Sequence, residues 1–149
     1  MNSNKLPKGI EIKQDPELDY GETIDINPSL KEFNRDKKYT HYSIYFEETK
    51  VGSASYRLIK YQNGLTIWRI DIFKIEDEAD RRKRYGTHLF NYIRQKMWAT
   101  NYVPIEINPV KVKGFYEFLT KVGFQERYHA DSPNKPYFIF LCPENENQL

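Results

Sequence analysis

The sequence predicts an α/β chain: a mixed, twisted sheet of about six or seven strands with helices on both faces. Three observations carry that reading. Segments 40–46 (THYSIYF), 51–60 (VGSASYRLIK) and 67–75 (IWRIDIFKI) are rich in β-branched and aromatic residues and are parted only by short turns, so they form an antiparallel meander. The last of them runs through an acidic turn (76–80) and a basic loop into a helix, where Tyr85, Leu89, Ile93 and Met97 recur about one turn apart on one face. A strand centred on 105–107 follows that helix, and a strand–helix–strand unit implies a right-handed crossover and parallel pairing.

Taken in order, residues 1–8 are polar and expected to fray. Residues 9–13 (GIEIK) alternate as a short edge strand does, whereas 14–26, with Pro16, Gly21 and many acids, show no assignable period. Asn27 and Pro28 form a helix start, cap and first position, for a short helix over 29–33. A charged connector, 35–38, leads into the meander, whose first turn is 47–50 and whose second carries Asn63-Gly64, a strong hairpin signal. Both faces of 67–75 are partly apolar, which places that strand in the middle of the sheet. A second helix is expected over 109–122, with Val112, Phe115, Phe118, Leu119 and Val122 on one face and Gly123 as its stop. Strands at 124–129 and 136–141 close the fold around a polar loop containing Asp131, Ser132, Pro133 and Asn134. The tail, 143–149, is polar and expected to be mobile. There is no repeat and no linker, so 1–149 is expected to be a single domain.

The formal net charge of +2 implies no general affinity for polyanions. Aromatic residues make up 15%, with twelve Tyr, which favours a folded core over disorder. A single cysteine, Cys142, excludes an intramolecular disulfide and fits a reducing compartment. No apolar run approaches the roughly 20 residues that span a membrane, and the N-terminus lacks an apolar signal core. A cytoplasmic protein without membrane contact is therefore expected.

The chemistry of the chain centres on the passage from 67–75 into the helix. The first amide groups of a helix have no intrahelical acceptor and the dipole there is positive, so phosphate is the usual guest. Arg81, Arg82, Lys83 and Arg84 precede that helix. Such a run also suits a solvated turn, a nucleic-acid patch or a localisation signal, but its place between strand and helix favours phosphate. His41 and His129 have no partner that spacing reveals, His88 reads as a surface or packing residue, and Cys142 is remote from every motif.

The order of meander, strand, basic loop with glycine, helix, strand, helix and Gly-Phe resembles the GNAT superfamily of N-acetyltransferases, over about residues 40–141. Glu48-Thr49-Lys50-Val51-Gly52 is similar to that family's turn before its third strand. Arg81 through Thr87 is similar to its Gln/Arg-x-x-Gly-x-Gly/Ala loop, and Gly114-Phe115-Tyr116 through Gly123-Phe124 to its late Phe-Tyr…Gly-Phe element. The resemblance implies acetyl transfer from acetyl-CoA to a primary amine, in a ternary complex and without a metal. It implies that the backbone edge of Phe73, Lys74 and Ile75 meets pantetheine, and that Arg81, Arg82, Lys83, Arg84, Tyr85, Gly86 and Thr87 meet the pyrophosphate. Asn108 is expected to bind the pantetheine arm or cap the next helix. Arg84 stands where the family has its first motif glycine, so its side chain is expected to point away from the phosphates or to pair with the 3′-phosphate. The loop between Ile75 and Arg81 is also about one residue longer than the family's.

The resemblance further implies a tyrosine acid near the departing thiolate. Counting forward from Asn108 reaches Tyr116, and counting back from Gly123 reaches Leu119, which cannot serve; Tyr116 is the candidate. The strand position of the glutamate base in histone-type relatives is Arg69 here, which leaves Asp71, on the same face, and Glu106 as candidate bases. The acceptor is a small-molecule or protein amine, and a homodimer is among the expected assemblies, as is common in the family. Glu17, Asp19, Glu22 and Asp25 would draw a cationic acceptor. The alternative is a module that binds coenzyme A, or nucleic acid through the basic loop, without catalysis.

Overall fold

A computed structural model of the chain describes residues 6–15, 18–19, 38–61, 63–76, 84–107, 114–130 and 132–143. The elements run β1 (Ile10–Gln14), β2 (Leu18–Asp19), β3 (Lys38–Phe46), β4 (Thr49–Lys60), β5 (Thr66–Ile75), α1 (Tyr85–Thr100), β6 (Ile105–Ile107), α2 (Phe115–Val122), β7 (Gln125–His129) and β8 (Ser132–Phe140). The strands form one mixed sheet in the order β1-β3-β4-β5-β6-β8-β7, with β2 pairing β3 beside β1. The expected meander is β3-β4-β5, antiparallel throughout. The expected crossover is β5-α1-β6, with β5 and β6 parallel.

Tyr85, Leu89, Ile93 and Met97 of α1 are all buried, and they pack with Leu119 of α2 against Tyr42, Ala54, Tyr56, Trp68, Ile70, Ile105, Ile107 and Phe138. Leu89 and Ile93 are 0% exposed, so truncating either to Ala costs about 2–5 kcal/mol. Both described helices lie on this one face of the sheet. The helix expected over 29–33 lies outside the described residues. Gly52 is required by packing: a Cβ there would sit 2.7 Å from both the Ile75 side chain and the Lys74 carbonyl oxygen.

Several boundaries differ from expectation. The 47–50 turn is tighter: Glu47 and Glu48 both adopt positive φ (48° and 71°), so β4 begins at Thr49, and Val51 bulges to restore register. Glutamate does not advertise such a turn. The second helix starts at Phe115, because Gly114 takes φ 82°, which no α-helical residue adopts; 109–113 lie outside the described residues. Gly123 ends it as expected, donating its N–H to Leu119 O and Thr120 O. The final hairpin is longer than the polar loop implied. β8 reaches back to Ser132, and the register slips between Tyr128 and His129, which accommodates Pro133 in a strand.

Candidate active site

The site is built by a loss of pairing. β5 and β6 are in register only at Trp68–Ile105, Arg69–Glu106 and Ile70–Ile107. Beyond Ile70, β5 continues to Ile75 on β4, and no described strand pairs its other edge from there on. At that point β5 bulges. Ile70 faces Tyr56, Ile72 faces Ser55, and Asp71 has no opposite number. The bulge reverses side-chain parity, so Phe73 and Ile75 join Trp68 and Ile70 on the helix-bearing face. It also sets the direction of the amides. Glu76 N donates to Val51 O at 2.9 Å, so the groups of Lys74 turn to β4 and those of Phe73 and Ile75 turn to the open edge.

The start of α1 follows. Arg84 is its N-cap, exposed, in the left-handed region at φ 66°, and among the described residues no side chain caps the helix. No acid lies in the first turn. His88 N donates to Arg84 O at 3.0 Å and begins the ladder, so the amides of Tyr85, Gly86 and Thr87 precede the first intrahelical acceptor. Gly86 is buried, and a Cβ there would come within 3.2 Å of the Phe118 ring and 3.6 Å of Phe73. Phe73 stacks on Phe118 at 5.6 Å, with Phe115 against both. The absent side chain of Gly86 therefore makes room for a ring of α2. Arg81, Arg82, Lys83 and Asn108 lie outside the described residues.

Tyr116 and Phe118 are about 200° apart around α2, on opposite flanks of its buried stripe. Phe118 faces Gly86 and Phe73. Tyr116 faces β8 and β7: its ring stands edge-on to Phe138 at 5.3 Å and lines a groove of about 390 Å³ with Glu117, Thr120, Lys121 and Glu126. Leu119, the other counted position, is 1% exposed in the core.

The opposite face of the sheet is polar yet buried. Arg69, 1% exposed, donates to Tyr61 Oη at 2.7 Å and to Glu106 Oε1 at 3.0 Å. Burial works against its charge, and Glu106, Tyr61 and Asp71 more than restore it. One strand over, the Arg57 guanidinium lies 3.6 Å from Asp71 Oδ2 and over the ring of Tyr39. Burial, and then the charge of Asp71, push the Tyr39 hydroxyl up to about 12. Both candidate bases are thus held by arginines. Only 19% of the Asp71 side chain is exposed although the residue as a whole is exposed, so its open part is the bulged backbone.

The sequence also missed the partners of His41. They are Ser55 and Asp15, on β4 and at the end of β1. The available signal was the alternation of His41 with Ser43 and of Ser53 with Ser55, small polar residues on one face of neighbouring strands.

No family model matches the sequence, and no curated protein matches it. The fold has clear likenesses among solved structures. A GNAT-family acetyltransferase from Staphylococcus aureus Mu50 aligns with a TM-score of 0.56 over 70% of this chain and 68% of that one, at 16% identity. The Bacillus subtilis N-acetyltransferase YlbP, solved with coenzyme A, aligns at 0.55 over 71% and 70%, at 19% identity. AtaTR, bound with acetyl-CoA, aligns at 0.57 over 70% and 68%, at 11% identity. At these identities the likeness is one of architecture: the chain has the GNAT acyltransferase fold.

Proposed function

We propose that the chain transfers an acetyl group from acetyl-CoA to a primary amine. The observation that supports this most is the open edge of β5 leading to the uncapped start of α1. The residues fit the cosubstrate. The unpaired groups of Phe73 and Ile75 suit an amide-bearing arm, and the amides of Tyr85, Gly86 and Thr87 suit a pyrophosphate. Arg84, with Arg81, Arg82 and Lys83, adds positive potential that salt screens. Acetyl-CoA supplies the activated acyl group. The chain contributes position: the edge of β5 fixes the arm, and the bulged backbone at Asp71 lies where reacting atoms would meet, so proximity is the main source of rate. Attack is direct, in a ternary complex.

Tyr116 is kept as a candidate acid, and its outward flank makes a test of it. Tyr116→Phe is expected to cost less than about tenfold in kcat, with solvent protonating the thiolate; a loss near a hundredfold would restore the tyrosine to that role. Asp71 and Glu106, each beside an arginine, are proposed as structural anchors of the bulge and of β6. This engagement favours a second reading, a CoA-binding module without turnover.

Calorimetry with acetyl-CoA, and with free CoA and ATP as controls, tests the whole proposal. Micromolar binding that weakens as salt rises is expected. CoA release in the presence of amines then separates enzyme from module. Absence of binding at low salt rejects both readings, and a salt-sensitive affinity for nucleic acid would take their place.

A further inference from the structure

Arg57, Arg69 and Glu106 lie in one row across β4, β5 and β6, on the polar face of the sheet. Arginines directly opposite each other repel, and these two are buried, at 5% and 1% exposure. Glu106 answers Arg69 at 3.0 Å. Arg57 is answered by Asp71, the extra residue of the β5 bulge, whose Oδ2 lies 3.6 Å from Arg57 Nε. The charge of Asp71 acts on Arg69 as well. Tyr39, buried on β3, completes the group. Its ring lies against the Arg57 guanidinium, and its hydroxyl is hydrogen-bonded with both Arg57 and Asp71. Side chains from three neighbouring strands thus converge on the bulge.

We propose that Arg57 is a positioning residue for the cosubstrate. Acting through Asp71, and braced by Tyr39, it holds the bulge that aims the edge groups of Phe73 and Ile75 at the pantetheine arm. The inference rests on the acetyl-transfer reading and extends it to a residue one strand away from the open edge. The bulge needs such a hold. Asp71 has no opposite number in β4, and the pairing of β5 with β6 ends at Ile70. The backbone ladder therefore does not by itself fix the residue on which all later register depends.

The consequence is confined to one end of the site. Phe73 and Ile75 follow the bulge directly on β5, so a bulge that slackens turns their groups away from the edge. The amides of Tyr85, Gly86 and Thr87 belong to α1, which the core holds independently through Leu89, Phe90 and Ile93. Loss of the Arg57 guanidinium should therefore loosen the arm end of the site and leave the phosphate end in place. Lysine is a poor replacement, because a point charge cannot both face Asp71 and lie flat against the Tyr39 ring as a planar guanidinium does.

The test uses the whole chain, with acetyl-CoA as the probe, and reads affinity by calorimetry and amide hydrogen exchange at saturation. In the parent protein acetyl-CoA should protect both Phe73 and Ile75 on β5 and Tyr85, Gly86 and Thr87 on α1. Arg57→Met should weaken binding about tenfold and abolish the protection on β5 while keeping that on α1. Tyr39→Phe removes one oxygen atom and should weaken binding about threefold with the same pattern; it reports on the hold if Arg57→Met does not fold. Unchanged affinity and protection in the folded variants would overturn the role of Arg57 and leave the transferase reading intact. Protection lost equally on β5 and α1 would also overturn it, since that marks a general loosening of the fold. A parent protein that does not bind acetyl-CoA would overturn both.

Discussion

At the scale of single residues, two side chains occupy positions that work against them. Arg84 holds a left-handed backbone, φ 66°, at the cap of α1. An L-residue there costs about 1–2 kcal/mol, and a glycine, though it would lose more freedom on folding, would be free of that strain. Arg84→Gly should therefore raise stability by about 0.5 kcal/mol in urea denaturation, with Arg84→Ala close to neutral. Arg69 and Glu106 form a buried pair at 3.0 Å. Glu106→Leu strands the guanidinium and should cost about 3–5 kcal/mol, whereas adding Arg69→Met should recover most of that loss. A double-mutant cycle measured by denaturation checks it; a Glu106→Leu protein of parental stability would show that Tyr61 and Asp71 suffice to hold Arg69.

At the scale of elements, the contact between α1 and α2 runs through an absent side chain. Gly86 leaves room for Phe118, whose ring would lie 3.2 Å from an added Cβ. Gly86→Ala should destabilise by about 1–3 kcal/mol through overpacking, and Phe118→Leu introduced with it should relieve part of that cost. If the rescue restores stability but acetyl-CoA binding stays weak by calorimetry, the glycine serves the ligand as well as the helix contact. The β5 bulge acts similarly over a longer reach. One extra residue at Asp71 puts Phe73 and Ile75 back on the helix-bearing face after Trp68 and Ile70. Without it every side chain and amide beyond Ile70 would face the wrong way.

At the scale of the whole molecule, buried titratable groups set a window of stability. His41 is lowered by burial, opposed by Asp15, and His88 is lowered by burial and by Arg84. The unfolded chain binds these protons near pH 6.5 and the folded chain only below that, so the stabilisation is complete above about 6.5 and is lost as pH falls further. The buried tyrosines work at the other end. Tyr39 is raised to about 12, and Tyr42 and Tyr56 are raised as well, each chiefly by burial. The unfolded chain gives up those protons from about pH 10, so stability falls again as pH rises through that range. Urea midpoints should show a plateau between about pH 6.5 and 10, and His88→Gln should flatten its acid shoulder. Saturation with acetyl-CoA at about 100 times its Kd should lift the whole curve by about 2.7 kcal/mol.

The order of strands and helices from β3 to β8, the apolar stripe of α1 and the stop at Gly123 were all legible in the sequence. Each is a local matter: side-chain periodicity, turn chemistry or capping, fixed by residues a few positions apart. The site is otherwise. Arg69 meets Glu106 across 37 positions and His41 meets Ser55 across 14, and no local pattern announces either pair. Tyr116 is reached by counting, and only the tertiary structure shows that its flank of α2 meets Phe138 while Phe118 meets Phe73 and Gly86. Where β5 leaves β6, which amides stay open and which carboxylates are already paired depend on strand register. Register is decided by how whole faces pack, because a shift of one residue reverses every contact beyond it.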